Sequence, residues 1–236
     1  MKSQVNQEGK YMTNKLLMGL AAFATLGHAT TIYSGSSGGG SATAAFTFGT
    51  DSLTVVVNDN VVNPTDVAQN LSALSFTFAG GTGGSLTGAS SPALRVVNSG
   101  GTFTDAAGPT TVAGVGWVYS TSSNTYLLDV LSGTGHAGPA HTIIGSPNSS
   151  NLYSAANGSI VGGPHDPFLA NSATFTFAFT GGVDANTVLS GVNFQFGTTD
   201  KTLVAGVLQT PEPSAVFLTA FGFAGLLFFA SRRRRA

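Results

Sequence analysis

The stretch TAAFTFGTDSLTVVVND, residues 43–59, alternates Phe, Leu or Val with Thr, Ser or Asn through most of its length. Period-two alternation puts apolar side chains on one face of an extended chain and small polar ones on the other, so the stretch reads as half-buried β-strand. The same rhythm returns in LSALSFTFAGG (71–81), SATFTFAFTGG (172–182) and LSGVNFQFGT (189–198). PALRVVNS (92–99), VGWVYST (115–121) and TYLLDVLS (125–132) are further strand candidates, and Gly, Asn, Asp and Pro clusters punctuate the joins. Helical periodicity is confined to Asp66–Leu74, which reads either as a short helix or as a lead-in to a strand. Many short strands between turn signals predict a mainly β domain, an antiparallel β-sandwich or jelly-roll-like fold over 30–209. GSSGGGSA (35–42) and GGTGGSLTG (80–88) read as glycine-rich loops; neither runs from a strand into a helix with the Lys-Ser/Thr ending of a phosphate loop.

Composition narrows the functional classes. Hydrophobic residues make up 42% of the chain, 17 of them Phe, which is enough for a packed core despite the abundant Gly, Ser and Thr. Between residues 30 and 210 only Arg95 and Lys201 are basic, against eight aspartates, a net of six negative charges. Phosphate recognition needs clustered Lys and Arg, so nucleic-acid binding is excluded. With no cysteine there is no disulfide framework, thiol nucleophile or Cys-ligated zinc, and an exported protein of this kind must rely on its core.

Both ends carry processing signals. MTNKLLMGLAAFATLGHATT has Lys15 as a positive lead, an apolar run from Leu16 to Leu26, and the small residues Gly27 and Ala29 flanking His28. That build predicts a secretory signal peptide over 1–29, cleaved between Ala29 and Thr30. The polar residues before Met12 suggest either a true start at Met12 or a long positive region; a buried N-terminal helix is the alternative to a signal. At the other end Ser214–Ala230 is an uncharged run of 17 residues, ~26 Å as a helix, at the short end of what spans a bilayer core. Five phenylalanines point around its whole circumference, so it predicts a transmembrane helix rather than an amphipathic one. Arg232, Arg233, Arg234 and Arg235 follow and, by the positive-inside rule, stay cytoplasmic, leaving the body outside the membrane.

Pro211, Glu212 and Pro213 join the body to that run as an extended stretch unable to enter a helix or sheet, open to a processing enzyme. The triplet, the apolar run and the terminal arginine cluster together resemble the PEP-CTERM sorting signal of Gram-negative bacteria, over residues 210–236. The resemblance implies export through the secretion translocon and an inner-membrane-anchored intermediate. It also implies removal of the tail by an exosortase-type membrane protease, and delivery to the cell surface or extracellular polymer matrix. A permanent C-terminal anchor is the alternative, since the physics of insertion is the same. Asn63–Phe78 and Tyr153–Thr199 are also similar to uncharacterised PEP-CTERM proteins, a similarity that implies no known activity.

Within the body the candidate chemistry is sparse. His136, His141 and His165 lie in Gly/Pro-rich loops and would form a three-histidine zinc site only if the fold gathered them; otherwise they are loop hydrogen-bonders. No Gly-x-Ser-x-Gly elbow occurs, and the aspartates show no pairing suited to glycoside hydrolysis. VNDNVVNPTD (57–66) and GGVDANT (181–187) group oxygen ligands in turns, so calcium is a possible cofactor, but no EF-hand loop is present. Turn stabilisation is the other duty for those Asp and Asn residues. Trp117 and Tyr119, two apart, share one face of a strand: exposed, that face would stack on sugar rings; otherwise it joins the core. The sequence therefore points first to a non-enzymatic surface or matrix protein, with exopolysaccharide as a possible partner. A carbohydrate-binding module built on Trp117 comes second, and a secreted metal-dependent hydrolase built on the three histidines third.

Overall fold

The computed structural model of the chain describes residues 30–199 and 203–209; the expected signal peptide and sorting tail lie outside the described residues. In chain order the strands are β1 (Thr30–Ser37), β2 (Gly40–Gly49), β3 (Ser52–Asp59), β4 (Leu71–Phe78), β5 (Ser85–Ser90), β6 (Ala93–Val97), β7 (Phe103–Ala107) and β8 (Val118–Ser122). They continue with β9 (Thr125–Asp129), β10 (Ile143–Ile144), β11 (Phe168–Ala170), β12 (Ser172–Ala178), β13 (Leu189–Phe196), β14 (Val204–Ala205) and β15 (Val207–Gln209). A single 3-10 turn, Val67–Gln69, and a short helix α1, Val112–Val115, are the helical elements among the described residues.

The opening stretch becomes a hairpin. β2 and β3 pair from Ala42↔Asp59 to Gly49↔Ser52, and Asp51 takes a φ of 48° in the turn, a conformation Asp tolerates better than most residues. β1 joins β2 through Gly38-Gly39, with φ of 58° and 84°, the double positive φ that a tight type I′ hairpin needs. The two glycine-rich stretches are therefore less loop-like than expected. Most of 35–42 is strand, and Ser85–Gly88 belongs to β5, which pairs with β12. Asp66–Leu74 does both things foreseen for it. Asp66 caps the 3-10 turn with its side chain, Gln69 reaches back to complete a capping box, and β4 begins at Leu71.

Two sheets result, with strand orders β15-β1-β2-β3-β12-β5 and β14-β13-β4-β10-β11-β6-β7; β9 also pairs with β4, and β8 with β9. Strand pairings are antiparallel except β10 with β11. Ala44, Phe46, Phe48, Val55, Val57, Phe175 and Phe177 from the first sheet meet Leu74, Phe76 and Phe78 from the second in one buried cluster, so the sheets pack face to face. Phe46 stands edge-on to Phe76 and Phe48 edge-on to Phe78, each pair with centroids 5.3 Å apart. Every such fully buried aromatic contributes about 1.5–3 kcal/mol of burial. This two-layer, mainly β arrangement is consistent with the expected sandwich.

A smaller core of Val67, Val97, Ile144, Tyr153, Ile160 and Phe168 lies under the segment 145–167, at the end of the molecule where β3 finishes and β4 begins. The chain leaves at the opposite end. Ile32 pairs with Gln209, so Thr30, the first described residue, and Gln209, the last, stand within two residues of each other at one corner of the first sheet. Between them runs a strap. β14 pairs with β13 of the second sheet, Gly206 donates its N–H to Val192 O at 2.7 Å, and β15 then pairs with β1 of the first. A Cβ on Gly206 would fall 2.9 Å from the Phe194 ring, which is why the crossing uses glycine.

Candidate functional site

Trp117 and Tyr119 are placed by α1. Thr111 caps the helix by accepting the Gly114 N–H at 3.1 Å, and Gly116 ends it in the left-handed region with φ of 72°. The chain then turns so that the Trp117 indole enters the core, 1% exposed, against Phe175 at 5.4 Å. Its Nε1–H donates to His141 O at 2.9 Å. The sugar-stacking role considered for Trp117 is thereby corrected: the indole borders the cleft outside α1 but, at this burial, presents no ring face for a sugar to stack on.

Tyr119 is half-buried between Tyr126 and Phe177, and its Oη donates to Gly84 O at 2.9 Å, tying β8 to the loop before β5. Burial pushes its phenol up, with Thr121 opposing weakly. Outside it lies a cleft of about 630 Å³ between the edge strands β5 and β8, lined by Leu86, Val112, Val118, Tyr119 and Thr134 among others. Among the described residues no carboxylate, imidazole or cationic side chain lines this cleft.

The histidines are not gathered. His136 is exposed on its loop, while His141, with φ of 63°, brackets α1 by placing Nδ1 3.0 Å from Val115 O. His165 lies near Asp66 and Asp166, whose charges it influences. Among the described residues no group of three or more His, Asp or Glu comes together to hold a metal. The stretches considered for calcium are committed to the backbone. Asp66 accepts from Ala68 N at 2.8 Å and from the Asn157 amide at 2.5 Å, and these two bonds hold its carboxyl below the usual range. Asp184 accepts from Asn186 N at 2.8 Å. Asp59 is buried, with Oδ1 accepting from Val61 N at 2.9 Å and Oδ2 from Leu71 N at 3.2 Å. Burial outweighs those bonds and pushes it up to about 8, and both oxygens serve to hold backbone N–H groups.

The sequence reading passed over one residue that the structure makes central. Arg95, on β6, is buried with Nε and Nη2 on the two carboxylate oxygens of Asp105 at 2.8 and 2.7 Å. Its Nη1 donates to Tyr153 Oη at 2.8 Å, Tyr153 Oη donates on to Gly145 O at 2.8 Å, and the guanidinium lies 4.1 Å from the centre of the Phe103 ring. Burial opposes the charge, but the bonds to Asp105 and Tyr153 prevail and push the guanidinium up. This network locks the β6–β7 hairpin to the segment over the smaller core. A signal was present: a single Arg between Leu and Val in a strand candidate must be paired if it is buried.

No family model, curated protein or solved structure matches the chain.

Proposed function

We propose that this is an exported, non-enzymatic β-sandwich protein of the cell surface or extracellular matrix, acting as a structural or interaction component. In this reading it is held in the inner membrane by residues 214–230 until an exosortase-type protease cuts near Pro211–Pro213. The observation that carries the sorting half is the sequence of 210–236. Support from the fold comes from β15, whose pairing with β1 leaves Gln209 at a corner of the first sheet, so that a single tether following it can hold the body from one side. In this reading Asp59, Asp66, Asp184, Arg95 and His141 serve the fold, each engaged in a turn, cap or bracket.

Intact mass and terminal peptides of the protein recovered from native membrane, envelope and medium test the reading. The expected product begins at Thr30 and ends near Pro213, and it disappears when the processing protease is deleted. A product that retains Arg232–Arg235 in every fraction replaces the sorting reading with a permanent anchor.

A further inference from the structure

Four of the seven exposed large hydrophobic residues among the described residues, Ile32, Leu203, Val207 and Leu208, lie on or beside the strap. Val207, 65% exposed on the outermost strand of the first sheet, shares its face with Ile32 on β1, while Leu208, 49% exposed and in register with Tyr33, points to the other side of the same edge. Isolated exposed aliphatics are ordinary; a group along one sheet edge marks a surface that meets something apolar. An edge strand is usually guarded by charge, yet β1, β14 and β15 contain no Asp, Glu, Lys, Arg or His. The edge can therefore leave water without desolvating a charge.

We propose that this edge is a lipid-facing surface, resting against the boundary between headgroups and acyl chains of the bilayer while the chain is held by its C-terminal segment. The inference rests on reading 214–230 as membrane-inserted. Chain length singles out lipid as the occupant. Only Thr210–Pro213 separate Gln209 from the apolar run, and four residues reach at most about 14 Å. The strap thus cannot stand far from the membrane that holds the tail. Four aliphatic side chains would bind a bilayer weakly alone, but a tether this short supplies an effective concentration in the millimolar range or above. Contact then persists while the tail is present and lapses once it is cut, so processing would release the body from the surface as well as from its anchor.

The absence of cysteine makes the test clean. Val207→Cys, Ile32→Cys and Ser149→Cys chains running from Thr30 through the C-terminal tail, each carrying a polarity-sensitive fluorophore, would be placed in phosphatidylethanolamine–phosphatidylglycerol vesicles containing doxyl-labelled lipid. Ser149 is exposed in the segment over the smaller core, away from the strap. Quenching several-fold stronger at positions 207 and 32 than at 149 is the expected result. Equal quenching at all three overturns the proposal while leaving tail insertion intact. Disulfide cross-linking between two copies of the unlabelled Val207→Cys chain under an added oxidant also overturns it, by making the edge an interface between copies. Chains that fail to float with vesicles defeat the membrane reading of the tail itself, and the proposal with it.

Discussion

Asp59 shows how a single group couples this fold to pH. Its native carboxyl titrates near 8, far above its unfolded value of 3.8, because burial penalises the charge more than Val61 and Leu71 N–H bonds favour it. Its contribution is therefore fully present below about pH 4 and is lost as pH rises through 8. Asp166, raised chiefly by burial, acts in the same direction; Asp66, lowered chiefly by the Ala68 N–H, matters only in acid. Urea titrations at pH 5 and pH 9 should show lower stability at the higher pH, on the order of a few kcal/mol, with the slope flattened in Asp59→Asn. An unchanged difference in the variant would assign the dependence elsewhere. Arg95→Met should cost about 2–4 kcal/mol, below the full cost of breaking a buried pair because the Asp105 side chain is 35% exposed. Arg95→Lys should recover little of it, since an ammonium cannot reproduce the bidentate geometry. Neither role was plain in the sequence: an aspartate in VNDN reads as a turn residue until Leu71, twelve positions on, brings its N–H to the carboxylate.

At the level of elements, strands with clean alternation were the legible ones. β2, β3 and β12 each have one face pressed on the other sheet, and a period of two is the direct imprint of that burial, whereas β4 keeps the alternation in its sequence although both of its faces are buried. β5, β10, β14 and β15 were not legible, because short edge strands and two-residue pairings take their hydrogen bonds from neighbours rather than from any pattern of their own. Trp117 belongs to the same argument: its two-residue spacing to Tyr119 placed both on one face, but only the opposing Phe175 and Phe177 showed that face to be inside. Trp117→Ala should then destabilise the fold by about 3–5 kcal/mol, measured by thermal or urea unfolding. The strap invites a different substitution. Gly206→Val would drive a side chain into Phe194 and Val192 O, and should free residues 203–209 for limited proteolysis while the rest of the sandwich stays resistant.

For the whole molecule, the pairing of the first and last described strands is the decisive feature. Ile32 and Gln209 are paired residues, and paired Cα atoms on antiparallel strands lie about 4.5–5.5 Å apart, within the range a disulfide accepts. The double variant Ile32→Cys/Gln209→Cys should therefore oxidise readily in this otherwise cysteine-free chain. The bond would close a loop spanning nearly the whole body and raise the unfolding midpoint, with about 5 kcal/mol as the entropic ceiling. Failure to oxidise in the folded protein would mean that the strap does not seat on β1 in solution.

The sequence by itself determined the mainly β class of fold and the absence of cysteine chemistry. Each depends on local periodicity, local charge or composition, which a linear chain displays in full. Tertiary structure decided that Trp117 is core, that the three histidines stay apart, that Arg95 is the hub of a buried network and that β1 pairs with β15. Those outcomes are contacts between residues tens to nearly two hundred positions apart, such as Arg95 with Tyr153 and Ile32 with Gln209. Their energies come from desolvation and packing shared between distant segments, and no local pattern encodes which segments will share them.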